Sequence, residues 1–229
     1  GPETLTRVAG GSDDDFAKVL EAAERPMIVL GQAALARPDG ADVLGAARAL
    51  AEMCGAIQDG WNGFNVLHTA AARVAGLDLG FVPGEGGRDT AAIVKGAGEG
   101  SIKIVYLFGA DEIDTAALGQ AFVIYQGHHG DAGAHRADVI LPGAAYTEKD
   151  ATYVNTEGRV QRTARAVFPP GDAREDWAII RALSDALGHT LPYDTLGAVR
   201  RRLVEVAPAF GETDTVAPVE WGAFGSTGG

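Results

Sequence analysis

The sequence predicts an α/β fold: an open, mostly parallel, Rossmann-like sheet with helices on both faces, and a C-terminal strand and helix extension. Three observations carry this. Four short runs are almost continuously apolar: Arg25–Gly31 (RPMIVLG), Ile102–Phe108 (IKIVYLF), Ala121–Gln126 (AFVIYQ) and Ala137–Leu141 (ADVIL). Strands of that kind are buried on both faces, as in parallel sheets. Helical patterns separate them, giving the alternation typical of α/β domains. Glycine or proline closes each run, as expected where a strand stops.

The elements follow in order. Ser12 is placed to cap a helix through Asp13–Glu24, whose first-turn aspartates suit the positive helix end. The first strand comes next. Asp42–Cys54 places Val43, Leu44, Ala47, Leu50, Ala51 and Cys54 at helical spacing. A short strand is expected near 56–58. Phe64–Ala75 reads as a helix carrying His68. Residues 83–100 are loop-rich, with a weak helix at 90–95. The strand at 102–108, a short helix near 115–119 and the strand at 121–126 follow. Tyr153–Arg162 (YVNTEGRVQR) alternates polar and apolar residues, as a half-exposed strand does. Pro169-Pro170-Gly171 breaks the chain. A helix opens at Asp172 or Arg174 and runs to Leu187, with Trp177, Ile180, Leu183 and Leu187 on one stripe and Gly188 ending it. Leu196–Val206 forms the last helix, and an extended tail follows Pro208.

Composition narrows the function. The 229 residues suit one large domain or one and a half small ones. The net charge is −12, and neither half of the chain is basic, so a nucleic-acid footprint is missing. Arg200–Arg202 reads as a solvated helix face. One cysteine, Cys54, rules out a disulfide framework or a cysteine-held cluster within these residues. A reducing compartment fits best. No apolar run approaches the ~18 residues of a membrane span, and no signal peptide is visible. The chain starts Gly-Pro-Glu and ends in glycines, which suggests a fragment.

Motif chemistry is sparse. There is no P-loop, and Gly96-Ala97-Gly98-Glu99-Gly100 precedes a strand instead of following one, so it reads as a flexible connection. Ser12, Ser101, Ser184 and Ser226 occupy no strand-to-helix elbow. Cys54 lies on an apolar helix face, as a core thiol does. His128, His129 and His135 gather in one loop with Asp131. In extended backbone the side chains of His128 and His129 diverge, which weakens a metal site. A polar loop bonded to its own backbone is the stronger reading. Ligands of parallel sheets bind beyond the carboxyl ends of the strands. Three loops leave those ends, so Gly31, Gln32, Gly109, Asp111, Gln126, Gly127, His128 and His129 are the candidate pocket edge. No catalytic, cofactor-binding or metal-binding residue can be assigned.

From Ala137 the sequence carries a recognisable pattern. "ADVILPGAAYTEKDATYVNTEGRVQ" and "PPGDAREDWAIIRALSDALG" resemble the molybdopterin oxidoreductase superfamily. Within it, "YQGHHGDAGAHRADVILPGAAYTEKDATYVNTEGR" is similar to the family of large peripheral iron–sulphur subunits of respiratory complex I, the NADH–quinone oxidoreductase. "RPMIVLGQAALARPDGADVL", "NVLHTAAARVAGLDLGFVPG" and "LPYDTLGAVRRRLVEVAP" extend the resemblance over most of 25–208.

The resemblance implies a structural domain without its own cofactor, in a proton-translocating NADH–quinone oxidoreductase. The 2Fe-2S and 4Fe-4S clusters of such subunits would lie upstream. Expected partners are the upstream part of the same subunit and the flavoprotein and iron–sulphur subunits of the peripheral arm. That arm lies on the cytoplasmic side of the bacterial inner membrane, or the matrix side in mitochondria. The pocket edge would then be vestigial, and Asn155, Glu157 and Arg159 would tie a structural polar strand to its neighbours. The implied layout is a lead-in helix at 1–24 joining the upstream domain, a Rossmann-like domain at 25–143, an extension at 144–208 and a tail at 209–229. Two rivals remain: the central part of a catalytic molybdopterin oxidoreductase, and a nucleotide-binding α/β module.

Overall fold

The computed structural model describes residues 1–10 and 15–216. The chain forms two compact units. The first comprises residues 1–75 and 154–159 and takes up the chain again from Asp214; the second comprises residues 76–153 and 160–213. The boundary after Ala75 falls inside the stretch expected as one Rossmann-like domain. The α/β class with open, mostly parallel sheets is as the sequence predicts. The strands, however, divide between separate sheets instead of joining one.

In the first unit, α1 (Pro2–Ala9) and α2 (Asp15–Glu21) precede β1 (Ile28–Gly31). The expected cap Ser12 lies outside the described residues. A single turn, α3 (Gln32–Leu35), follows β1 directly, and α4 (Gly40–Met53) follows that. Val43, Ala47, Leu50 and Ala51 are its buried stripe; Ala47 and Ala51 pack with Cys54, Ala56 and Phe64, and Leu50 with Val8 and Ala17. β2 (Ile57–Gln58) and β3 (Trp61–Asn62) pair antiparallel. Gly63 allows a close backbone approach, since a Cβ there would lie 2.2 Å from the Pro26 carbonyl oxygen.

β4 (Phe64–Leu67) then pairs parallel with β1, Ile28 opposite Phe64 and Gly31 opposite Leu67. This corrects the helix expected over Phe64–Ala75. Its first four residues are a short apolar run that fits either period, and pairing with β1 decides for strand. The helix here is the short α5 (Arg73–Asp78).

The second unit opens with α6 (Thr90–Gly98), capped by Asp89, whose Oδ1 accepts from the Ala92 N–H at 2.7 Å. Gly96 and Gly98 are therefore helical and packed, not a flexible link. A Cβ on Gly98 would sit 2.8 Å from the Ala117 carbonyl oxygen, so the glycine seats α6 against the 3-10 turn Thr115–Leu118. β5 (Ile104–Phe108), β6 (Phe122–Gly127), α7 (Ala132–Arg136) and β7 (Val139–Pro142) complete a three-stranded parallel sheet of order β5-β6-β7. Val105, Leu107, Val123 and Tyr125 bury one face with Ala97, Leu118 and Ala121. The other face carries Ile104, Phe108, Phe122 and Val139, and Ile104 is 63% exposed. Asp138 fastens β7 to β6: its Oδ2 accepts from the Val123 N–H at 2.8 Å, and its own N–H donates to the Val123 carbonyl.

The strand expected over 153–162 is a hairpin: β8 (Thr152–Val154), a turn, and β9 (Val160–Arg162). Asn155 makes the turn. Its Oδ1 accepts from the N–H groups of Glu157 and Arg159 at 3.1 and 3.0 Å, and Gly158 adopts φ 84°. An Asn side chain that mimics a backbone turn competes with strand geometry. α8 (Asp176–Ala186) starts later than expected, at Asp176, and α9 (Leu196–Val206) matches its expected span. Leu187, expected on the buried stripe of α8, is largely exposed. A 3-10 turn, Pro208–Gly211, replaces the start of the expected extended tail; the tail from 217 lies outside the described residues.

Candidate functional site

The carboxyl edge of the second unit's sheet gathers six of the eight candidate edge residues: Gly109, Asp111, Gln126, Gly127, His128 and His129. Gly31 and Gln32 are not among them, because β1 belongs to the other sheet. There Gln32 bridges the strand ends of its own unit, its Oε1 accepting from the Thr69 N–H at 2.9 Å and the Thr69 hydroxyl at 3.2 Å.

Gln126 is the centre of the edge. It is fully buried, and its amide is paired on both sides. Tyr106 donates its hydroxyl to Gln126 Oε1. Gln126 Nε2 donates to Asp176 Oδ1 at 2.9 Å. Lys149 donates to the other Asp176 oxygen, as an ion pair. The chain Tyr106–Gln126–Asp176–Lys149 thus fastens β5, β6, the 143–151 loop and the first residue of α8. Burial first, and then the Asp176 charge, raises the Tyr106 pKa above its ordinary value.

A second set of contacts shapes the loop after β6. The Tyr125 ring is buried and lies against Gly127 and Gly133. A Cβ on Gly127 would fall 2.3 Å from the Tyr125 oxygen, and one on Gly133 would fall 2.7 Å from its ring. Asp111 Oδ2 accepts from the Gly133 N–H at 2.8 Å, tying the loop after β5 to α7. Burial first, then the charges of Asp111 and Asp131, raises the Tyr125 pKa, and the His129 backbone opposes them. Glycine at 127 and 133 is thus explained by ring packing.

The histidines do not spread apart. The strand ends at Gly127, the chain bends, and the rings of His128 and His129 meet at 4.1 Å between centroids. The divergence expected of extended backbone is corrected by that bend. Both residues are exposed, and His135 lies on the exposed side of α7. Partial desolvation of its ring lowers the His128 pKa; His129 and Lys149 lower it further, while Asp176 and Glu148 raise it. Among the described residues no group of three or more His, Cys, Asp or Glu side chains is arranged to hold a metal ion.

Asn155, Glu157 and Arg159 occupy the β8–β9 turn and bond chiefly to one another. Arg159 Nε reaches Glu157 Oε1 at 2.8 Å and Asn155 Nδ2 reaches it at 3.3 Å, so Arg159 first, then Asn155, holds the Glu157 carboxyl below its usual range.

Sequence reasoning missed Tyr106, Lys149 and Asp176. Only Asp176 left a signal: an acidic residue opening a helix after a Pro-Pro-Gly break.

The molybdopterin oxidoreductase family matches residues 1–186. This chain belongs to that family. Among curated relatives, it is 46% identical over 205 residues to the NADH-ubiquinone oxidoreductase 75 kDa subunit of Reclinomonas americana, covering 90% of this chain and 29% of that protein. It is 45% identical over 218 residues to the mitochondrial NADH dehydrogenase [ubiquinone] iron-sulfur protein 1 of Solanum tuberosum, covering 95% of this chain and 28% of that protein. The chain therefore spans under a third of these relatives. Acetylene hydratase from Pelobacter acetylenicus aligns with a TM-score of 0.44 and 17% identity, over 52% of this chain and 18% of that one.

Among the described residues, the thiol, the buried serine and the polar groups of the sheet edge are not free to hold a molybdenum–pterin group. The only thiol, Cys54, is 6% exposed in the core of the first unit. Ser184 is buried and bonded to the Arg181 carbonyl and the Leu191 N–H. At the sheet edge Gln126, Lys149 and Asp176 satisfy one another. A ligand would have to break those bonds before gaining its own.

Proposed function

We propose that this chain is the molybdopterin-oxidoreductase-like scaffold of the large iron–sulphur subunit of a proton-translocating NADH–quinone oxidoreductase. The observation that carries it is the identity of 45–46% over nine-tenths or more of the chain to the 75 kDa-type subunits. On this reading the chain performs no chemistry and binds no cofactor. Electron transfer runs through 2Fe-2S and 4Fe-4S clusters held by upstream residues. The chain braces the cluster-bearing part of its subunit and touches the flavoprotein and iron–sulphur subunits of the peripheral arm. That arm stands on the cytoplasmic face of a bacterial inner membrane, or the matrix face in mitochondria. No helix among the described residues is long and apolar enough to cross a membrane, in keeping with a peripheral place.

The closed polar chain at the sheet edge supports the scaffold role. Catalysis needs a nucleophile, an acid–base pair or a cofactor in mutual reach, and the edge offers bonded pairs instead. The test is elemental analysis of the purified chain for iron and molybdenum, with pterin assayed by fluorescence after oxidation. The expected result is none of the three. Stoichiometric molybdenum with pterin would overturn the scaffold and favour a catalytic molybdopterin oxidoreductase.

A further inference from the structure

Aspartate or asparagine followed by glycine occurs three times in the chain, each time in the first unit: Asp39-Gly40, Asp59-Gly60 and Asn62-Gly63. Such pairs share one chemistry. The glycine amide nitrogen, unshielded by a Cβ, attacks the preceding side-chain carbonyl carbon and closes a succinimide ring. The amide must be free to turn toward the side chain, and the side chain must be free to meet it.

Two of the three pairs are locked. Gly40 donates its N–H to the Arg37 carbonyl at 2.9 Å, and Arg37 grips Asp39 through Nε and Nη2 at 2.7 and 2.8 Å. That pairing holds the Asp39 carboxyl below its usual range, and an ionised carboxylate is a poor electrophile. Gly63 is buried and donates its N–H to the Ala56 carbonyl at 2.6 Å, while Asn62 Oδ1 accepts from the Phe64 N–H at 3.1 Å. Each of these pairs reacts only through a local opening, and is slowed in proportion to how rarely that opening occurs.

Asp59-Gly60 is not locked. It forms the turn between β2 and β3, and both residues are exposed. Gly60 takes φ 73°, with nothing within 4 Å of where a Cβ would stand. Among the described residues neither the Asp59 carboxyl nor the Gly60 N–H has a hydrogen-bond partner. The ladder below the turn is only Ile57 with Asn62 and Gln58 with Trp61, so it restrains the turn little.

We propose that Asp59 is a site of spontaneous isoaspartate formation. The Gly60 nitrogen bonds to Asp59 Cγ, the carboxyl hydroxyl leaves with the amide proton as water, and the succinimide closes. Water then reopens the ring. Addition at Cγ restores aspartate. Addition at the former main-chain carbonyl carbon leaves the backbone running through Cβ and Cγ, with a free α-carboxylate beside it. No oxidant or reductant takes part. The product has the chemistry recognised by carboxyl methyltransferases that act on L-isoaspartyl residues. The added backbone methylene enters a hairpin clasped to the chain before β1, where Gln58 Nε2 donates to the Glu24 carbonyl at 3.3 Å and Trp61 Nε1 to the Pro26 carbonyl at 2.9 Å.

The test is prolonged incubation of the folded chain in heavy-oxygen water at neutral pH, followed by peptide mapping. Each ring opening leaves one heavy oxygen at the reacted residue, and isoaspartate resists the protease that cuts before aspartate. Asp59 is expected to carry about tenfold or more label than Asp39 or Asn62, part of it in a peptide no longer cut before residue 59. Asp59→Glu, which would have to close a larger ring, should remove the label there. In denaturant the order should reverse and Asn62 should react fastest, because a neutral amide is a better electrophile than a carboxylate. No label at Asp59 in the folded chain, or as much at Asp39 or Asn62 as at Asp59, would overturn the proposal.

Discussion

Gln126 shows how one buried amide can hold a sheet edge. Its Oε1 and Nε2 join a tyrosine on the neighbouring strand to an aspartate fifty positions further along. Replacing it with leucine keeps the volume roughly constant but removes the acceptor of Tyr106 and one donor of Asp176. A buried polar group left unsatisfied costs about 1–3 kcal/mol. Gln126→Leu should therefore lower the urea midpoint by that amount of free energy with an unchanged m-value; an unaltered midpoint would mean the chain of bonds adds nothing. Beside it, His128 makes stability depend on pH. Its folded pKa lies below the ordinary 6.5, from partial desolvation of the ring first and then from His129 and Lys149. As pH falls, the unfolded chain takes up this proton first. The stabilisation is complete above pH 6.5 and is lost as pH falls from there to the lower folded pKa. His128→Gln should flatten the fall in Tm over that window, as seen in thermal melts from neutral to mildly acidic buffer.

Between elements, the sequence was legible where apolar runs were long and strongly punctuated. IKIVYLF, AFVIYQ and ADVIL became β5, β6 and β7 within a residue or two, and LGAVRRRLVEV became α9. It was not legible where only pairing decides. Phe64–Leu67 has no local mark of a strand, and its state depends on β1, which lies 36 positions earlier in register. The Asn155 turn was hidden because alternation over ten residues fits a strand equally well. The polar chain at the candidate site was hidden for a similar reason: Tyr106, Lys149 and Asp176 meet only through tertiary folding. α6 illustrates the opposite case, since its cap is local. Asp89 accepts from the Ala92 N–H, and Asp89→Ala should cost about 1 kcal/mol. Denaturant melts of the variant would show it. No change would mean that packing of Gly98 on the 3-10 turn fixes the helix without its cap.

At the scale of the whole molecule, the scaffold reading separates two quantities that a catalytic domain would link. A scaffold contributes to how much complex assembles; a catalytic domain contributes to how fast each assembled complex turns over. Gln126→Leu distinguishes them when placed in the full-length subunit. On that reading the variant loosens the sheet edge and leaves the clusters untouched; Cys54, the chain's one cysteine, lies in the core of the other unit. The amount of assembled complex, measured by native gel electrophoresis, should fall. NADH-to-quinone turnover per assembled complex, normalised to bound flavin, should stay within about twofold of the parent, since a rate change of that size is under 0.5 kcal/mol of barrier. Normal assembly with turnover lost by tenfold or more would instead place this edge on the reaction path, and the bonded network of Tyr106, Gln126, Asp176 and Lys149 would then have to be read as part of the chemistry.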